Sequence, residues 1–239
     1  MLINVNVFNI LKGNCVVNTQ GFKDSDNSID ITVMLSSGVD SVSVLHYIAQ
    51  NKRRLCKLFQ CDNINLRAYH FNHKLRHQND VMENAAQELC TTYNIPLTVK
   101  HSTENLKTEE QARKARFKFL ENIKSIVVTG HHLDDCVESY MLNVLRGHEG
   151  WMPIPFCTHL KESVLMHLFL LTPKHEFLQY AVKHNLTQYI INDETNSITK
   201  GSRRNVLRNE ILPILNREHI GLHTIVKKKI INKLKYICE

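Results

Sequence analysis

No Cys-x-x-Cys pair occurs in the 239 residues. The seven cysteines, at 15, 56, 61, 90, 136, 157 and 238, are odd in number and irregular in spacing. That argues against a zinc ribbon, a thioredoxin-type pair and a disulfide framework, and leaves reduced, structural cysteines. No stretch approaches the ~18 consecutive apolar residues of a membrane-spanning helix. Met1–Gly21 carries neither the apolar core of a signal peptide nor an Arg-rich transit pattern. The expectation is a soluble, cytoplasmic protein, with an organelle matrix or stroma as the alternative. Internal repeats, low-complexity tracts and the Gly-Lys-Ser/Thr of a Walker A loop are also missing.

What is present suits a globular domain with one sizeable core: 43% hydrophobic and 22% charged residues. Lys and Arg number 30 against 23 Asp and Glu, an excess of seven that mildly favours a polyanionic partner such as nucleic acid.

Short apolar runs alternate with helical periodicity along the chain. Strands are expected at 31–35, 66–72, 97–101, 125–130 and 164–171. Helices are expected at 39–50, 78–93, 109–121, 133–145 and from Pro173 to His184, with Lys52–Lys57 a basic connection. The pattern predicts an α/β fold: a Rossmann-like, parallel five-stranded sheet with helices on both faces, plus a small C-terminal helical segment. Residues 1–29 read as an N-terminal extension, 30–190 as the main domain and 191–239 as a basic helical segment. In such sheets ligands bind at the carboxyl ends of the strands.

Two stretches at such ends carry chemistry. In Ile31–Ser41 an apolar strand breaks into Ser36-Ser37-Gly38 and a helix begins at Val39, the geometry in which backbone N–H groups converge on phosphate. Asp40 at the helix entrance suits Mg²⁺. The same residues also suit an ordinary βα turn with serine caps. Gly130-His131-His132-Leu133-Asp134-Asp135-Cys136-Val137-Glu138 follows the fourth strand, with Asp135 and Glu138 at i, i+3. Both are expected on one helix face, opposite an apolar stripe of Val137, Tyr140, Met141, Val144 and Leu145. Acids in a first turn also simply complement a helix dipole. Arg113 lies on the 109–121 helix beside the cleft, and His73 and Arg76 follow the second strand. Towards the C-terminus, Leu207, Ile211, Ile214 and Leu215 are expected to pack while Arg203, Arg204 and Arg208 face outward. Val226, Ile230, Leu234 and Ile237 form a second stripe flanked by Lys227 to Lys229.

These motifs together resemble the tRNA(Ile)-lysidine synthetases within the N-type ATP pyrophosphatases. Ser36 to Ser41 resembles their Ser-Gly-Gly-x-Asp-Ser loop, with Ser37 in place of a Gly. His70 to Arg76, Glu110 to Phe117, Gly130 to Ser139, Leu145-Arg146-Gly147, Asn192 to Asn196 and Arg204 to Pro213 match further family segments in the family's order. Thr172 stands where the family usually has Arg, and many members continue beyond position 239. A Cβ at 37 is expected to fit a phosphate cradle only with negative φ.

The resemblance implies ATP and Mg²⁺ as cofactors, with L-lysine and a tRNA(Ile) bearing a CAU anticodon as partners. Ser36, Ser37, Gly38, Val39, Asp40, Ser41, His70, Arg113 and His132 would bind ATP. Asp40 and Asp135 would hold Mg²⁺, and Asp135 and Glu138 the lysine. Asp40, Arg113, Asp135 and Glu138 would be catalytic. Arg203, Arg204, Arg208, Lys227 and Lys228 would contact the tRNA. The oligomeric state is left open, a homodimer among the options. A tRNA thiolase of the same superfamily is disfavoured by the missing Cys-x-x-Cys, and a decayed tRNA- or nucleotide-binding protein is the other alternative.

Overall fold

The computed structural model describes Leu2, residues 20–73, 77–102, 123–148, 154–192 and 202–237, and single helical residues between 111 and 120. Its centre is a six-stranded sheet in the order β3-β2-β1-β4-β6-β5. The strands are β1 Ser28–Met34, β2 Asn63–Asn72, β3 Leu97–His101, β4 Ile126–Val128, β5 Cys157–His159 and β6 Val164–Met166. All pairings are parallel except β5 with β6. Ile29, Ile31 and Val33 of β1 and all of β4 are fully buried, as expected of parallel strands covered on both faces.

The expected count of five strands is corrected to six. β5 is a short antiparallel edge strand of mixed polarity, Cys157-Thr158-His159, with too little pattern to read. The expected strand over 164–171 ends at Met166. Leu168 to Leu171 are as buried as a central strand, but apart from a single parallel bridge of Phe169 to His132 they lie in turns, and an apolar run alone cannot separate the two.

The helices are α1 Val39–Gln50, α2 Lys52–Phe59, α3 His77–Thr92, α4 Leu133–Val144, α5 Lys174–Lys183, α6 Arg203–Val206, α7 Leu212–Arg217 and α8 Leu222–Ile237. The basic connection at 52–57 is instead the helix α2, which buries Leu55, Leu58 and Phe59 at i, i+3, i+4. Between α6 and α7 the backbone runs through a π turn, Leu207–Ile211. The extra residue per turn shifts the phase of everything after it. Leu207 and Leu212 point inward, whereas Ile211 and Ile214, expected in the core, are exposed. Val226, Ile230 and Leu234 of α8 join the main core.

The sequence runs from β1 outward through β2 and β3, then returns to β4 on the other side of β1. The carboxyl ends of β1 and β4 are therefore the switch point of the sheet, where neighbouring connections part and leave a crevice. The two chemistry-bearing stretches leave the sheet there, side by side. Gly130 marks their closest approach: a Cβ on it would lie 3.0 Å from Asp40 Cβ and 3.1 Å from Ser41 N.

Away from that crevice, α1 packs against α5. Between them His46 is buried, its Nδ1 2.9 Å from the Tyr180 hydroxyl and its ring 4.9 Å from Tyr93 and 5.1 Å from His184. Burial, then the neighbouring His184, pushes His46 down from 6.5 to about 4. The unfolded chain thus takes up a proton near pH 6.5 that the folded protein refuses until about pH 4. Stability should fall with decreasing pH across that window, by up to about 1.4 kcal/mol per pH unit. Urea denaturation between pH 7 and 4.5 should show the loss, and it should be smaller in His46→Gln.

Candidate functional site

Ser36, Ser37 and Gly38 carry the chain from β1 into α1. Gly38 is the N-cap residue and α1 has no side-chain cap, so its first N–H groups are not claimed by a capping side chain. The left-handed position in this loop is Ser37, at φ 56°, while Gly38 is extended at φ −78°. The expectation of a negative φ at 37 is corrected. The fully buried Ser37 donates its hydroxyl to the Met82 carbonyl at 2.6 Å, which ties the loop to α3. That bond contributes about 0.5–1.5 kcal/mol against a left-handed cost of about 1–2 kcal/mol. Ser41 closes the loop from the other side: its Oγ accepts from the Ser36 N–H at 3.0 Å and donates to the Gly38 carbonyl at 3.1 Å.

Beyond β4, His132 precedes α4, and its buried ring is ringed by carboxylates. Nε2 lies 3.6 Å from Asp40 and 3.5 Å from Asp135, and Nδ1 lies 3.7 Å from Asp134. Asp135 also accepts from the His132 N–H at 3.1 Å. Burial opposes the Asp135 charge, but His132, His131 and Arg204 outweigh it and hold the carboxyl below its usual range. Burial opposes the Asp134 charge too. There the His223 ring at 3.2 Å and the Lys174 N–H at 2.7 Å prevail and bring the carboxyl to about 2.

Glu138 is the most deeply placed acid, with its side chain only 2% exposed. Arg208 grips it with Nε at 2.6 Å and Nη2 at 2.9 Å, and also reaches Asp135 at 3.4 Å. Arg204 contacts the same carboxylate at 3.0 Å and donates to Ser139 at 2.8 Å. The expected outward orientation of Arg204 and Arg208 is therefore corrected, because both turn in to neutralise Glu138. The face of α4 that carries the acids is the buried one, together with Cys136 and Val137, and the expected stripe ends exposed at Val144 and Leu145.

Lys174 was not anticipated as a site residue. Its Nζ lies 2.6 Å from both oxygens of Asp40, across 134 positions of sequence. Nothing local signals that contact, which arises from the packing of α5 against α1. His70, expected at the nucleotide, is buried beneath the loop with Nδ1 2.8 Å from the Leu35 carbonyl, and burial lowers its pKa. Arg203 and Lys228 are exposed, and Lys227 is half-buried on α8. Arg113, Arg76 and Asp193 to Asn196 lie outside the described residues.

The profile of the PP-loop domain (ATP_bind_3) matches residues 14–215, a span that includes both chemistry-bearing stretches and the inward-turned arginines. The chain belongs to the PP-loop domain family. Among curated PP-loop relatives, the tRNA(Ile)-lysidine synthase of Haemophilus ducreyi is 33% identical over 204 residues, covering 82% of this chain and 44% of the relative. That of Legionella pneumophila is 31% identical over 199 residues, with 80% and 44% covered. The bifunctional protein TilS/HprT of Listeria monocytogenes is 30% identical, with 81% and 31% covered. The chain thus spans less than half the length of these relatives. Among solved structures, the U34-tRNA thiolase NcsA of Methanococcus maripaludis with its [4Fe-4S] cluster superposes with a TM-score of 0.68 at 17% identity, over 96% of this chain and 79% of that one. NMN synthetase from Francisella tularensis gives 0.51 at 12% identity, over 98% and 94%. At such identities these two structures establish the PP-loop fold alone.

The loop geometry yields a direct test on the PP-loop backbone. Ser37→Gly removes the left-handed cost together with the Met82 bond and should leave stability within about 1 kcal/mol of wild type. Ser37→Ala keeps the cost and loses the bond, and should destabilise by about 0.5–1.5 kcal/mol. Chemical denaturation of both variants measures the difference.

Proposed function

We propose that the chain is an ATP-dependent ligase that joins L-lysine to C2 of the wobble cytidine of a tRNA(Ile) with a CAU anticodon. The product, lysidine, changes the codon read from AUG to AUA. The observation that carries this reading is the similarity to lysidine synthases over four-fifths of the chain. The carboxylate cluster beside an uncapped helix N-terminus gives that similarity a chemical basis.

The chemistry needs no protein nucleophile. The cytosine C2 oxygen attacks the α-phosphate of ATP, forming an O–P bond and releasing pyrophosphate. The lysine amine then attacks C2, AMP leaves with the former C2 oxygen, and the amine gives up a proton. Positioning and charge neutralisation do most of the work, as in phosphoryl transfer generally. Ser36 to Ser41 and the first N–H groups of α1 cradle the pyrophosphate.

Asp40 and Asp135 flank the His132 ring and offer hard oxygen donors. Among the described residues no three His, Cys, Asp or Glu side chains are arranged so as to hold a metal by themselves. That donor set fits Mg²⁺, which takes one or two carboxylates and completes its shell from phosphate and water. The ion would supply charge neutralisation at the phosphates. Lys174, whose Nζ now sits on Asp40, would be a second positive charge within reach of phosphate oxygens. Arg208, aimed by Glu138, supplies a fixed positive charge where the α-phosphate reacts.

Asp135, kept ionised, suits an ammonium of the substrate lysine and is a weak base. Glu138 is engaged by two guanidiniums, so its part in lysine binding runs through Asp135 and Arg208 rather than through an open carboxylate. Arg203, Lys227 and Lys228 contact tRNA phosphates. In this reading 30–190 is the adenylation domain, 191–239 is the tRNA-contacting segment and 1–29 is an extension, in a cytoplasmic protein. No helix among the described residues is long and apolar enough to cross a membrane.

Incorporation of labelled lysine into unmodified tRNA(Ile) with a CAU anticodon, with ATP and Mg²⁺, tests the proposal. The elongator methionine tRNA should stay unlabelled. Asp40→Asn should lower the rate by about 100-fold or more. Lys174→Met should weaken ATP binding by roughly tenfold, measured calorimetrically. Failure of the wild type to incorporate lysine, with tRNA bound, would overturn the ligase reading.

A further inference from the structure

The half of the α4 stripe that stays out of the core borders a groove. This groove, of about 540 Å³, lies between the last turn of α4 and residues 202–211, with Leu142, Leu145, Leu207 and Ile211 among its walls and Arg146 and Arg203 at its edge. Leu145 is 69% exposed and Val144 beside it 49%, unusual for neighbouring apolar residues that no described element covers. Both arginines are exposed, and among the described residues no acidic side chain lines the groove. The guanidinium planes at the rim can stack on a splayed-out base or hold its phosphates, and the aliphatic walls give the base an apolar seat.

The position is as informative as the chemistry. Leu142 lies one helical turn beyond Glu138, about 6 Å along the axis. Arg203 and Leu207 each precede an arginine that grips Glu138. The groove and the acid cluster are thus two sides of one joint between α4 and the 202–211 segment. A cytidine drawn out of its stack towards Asp135 carries its neighbours with it, and an unstacked neighbour needs a new surface.

We propose that this groove receives the base of a nucleotide flanking the target cytidine, with Arg146 and Arg203 on the adjoining phosphates. The assignment rests on the RNA-modifying reading above, and adds to it a second base-binding position set by the end of α4. It also gives Leu145-Arg146-Gly147 a task outside the adenylation chemistry.

An anticodon stem-loop RNA with 2-aminopurine replacing the nucleotide on either side of the target cytidine provides the test. On binding to the wild-type protein, fluorescence at one of the two positions should rise as the base leaves its stack. Leu145→Asp, at a site exposed enough to leave folding intact, should abolish that rise and weaken binding of the RNA roughly 5- to 100-fold, with ATP affinity unchanged. Unchanged RNA binding by Leu145→Asp, or no fluorescence change at either position in the bound RNA, overturns the groove assignment. So does conversion of a dimer to a monomer by Leu145→Asp with RNA binding unaltered, because the groove is then an interface between copies. A wild-type protein that binds ATP but not the stem-loop overturns the RNA-modifying reading itself, and the groove assignment with it.

Discussion

Negative charge is crowded at the switch point of the sheet. Asp40, Asp134 and Asp135 all lie within 3.7 Å of the His132 ring, and Glu138 is buried one turn further along α4. Carboxylates packed this closely repel one another where water is scarce, so the fold has to bring cations and hydrogen-bonding rings to them. It does so from separate parts of the chain. Lys174 comes to Asp40 from α5, His223 to Asp134 from α8, and Arg204 and Arg208 to Glu138 from the 202–211 segment. The same contacts dock α5, the π turn and α8 around α4. A well-paired buried charge contributes little net stability, whereas one left without its partner is strongly destabilising. The arrangement therefore specifies where these elements sit more than how tightly they are held.

What was legible in the sequence was local. β1, β2 and β4 are apolar runs ended by turns, and the loop and acid stretches declare themselves by residue type over a few positions. The contacts that balance the charge join residues 70 and 134 positions apart, and no periodicity reports those. The π turn shows why even the helical pattern misleads near the C-terminus. A stripe counted at 3.6 residues per turn places Ile211 inside and Arg208 outside, and one wider turn reverses both. Ser37 is a third case. Its residue type suggests a strained departure from a glycine-rich loop, and only the fold shows the Met82 carbonyl waiting for its hydroxyl.

A U34-tRNA thiolase and an NMN synthetase share this fold at 17% and 12% identity, so the sheet and its switch point do not determine the chemistry. Chemistry is set by what surrounds the switch point. Here that is a buried glutamate with two arginines, a lysine on the loop aspartate and an apolar groove one helical turn away.

The pairing of Glu138 with Arg204 and Arg208 also has a consequence in time. A ribosome makes the chain from the N-terminal end, so the sheet, the loop and the acid turn all emerge before residue 204 exists. Until then Glu138 has no guanidinium to meet it, and burial of its charge is unfavourable. The nascent chain therefore carries an unfinished centre that closes only when the arginines arrive. Completion of the carboxylate cluster waits on residues 204 and 208, and a nascent chain shorter than that holds Glu138 without the two cations that meet it in the folded protein.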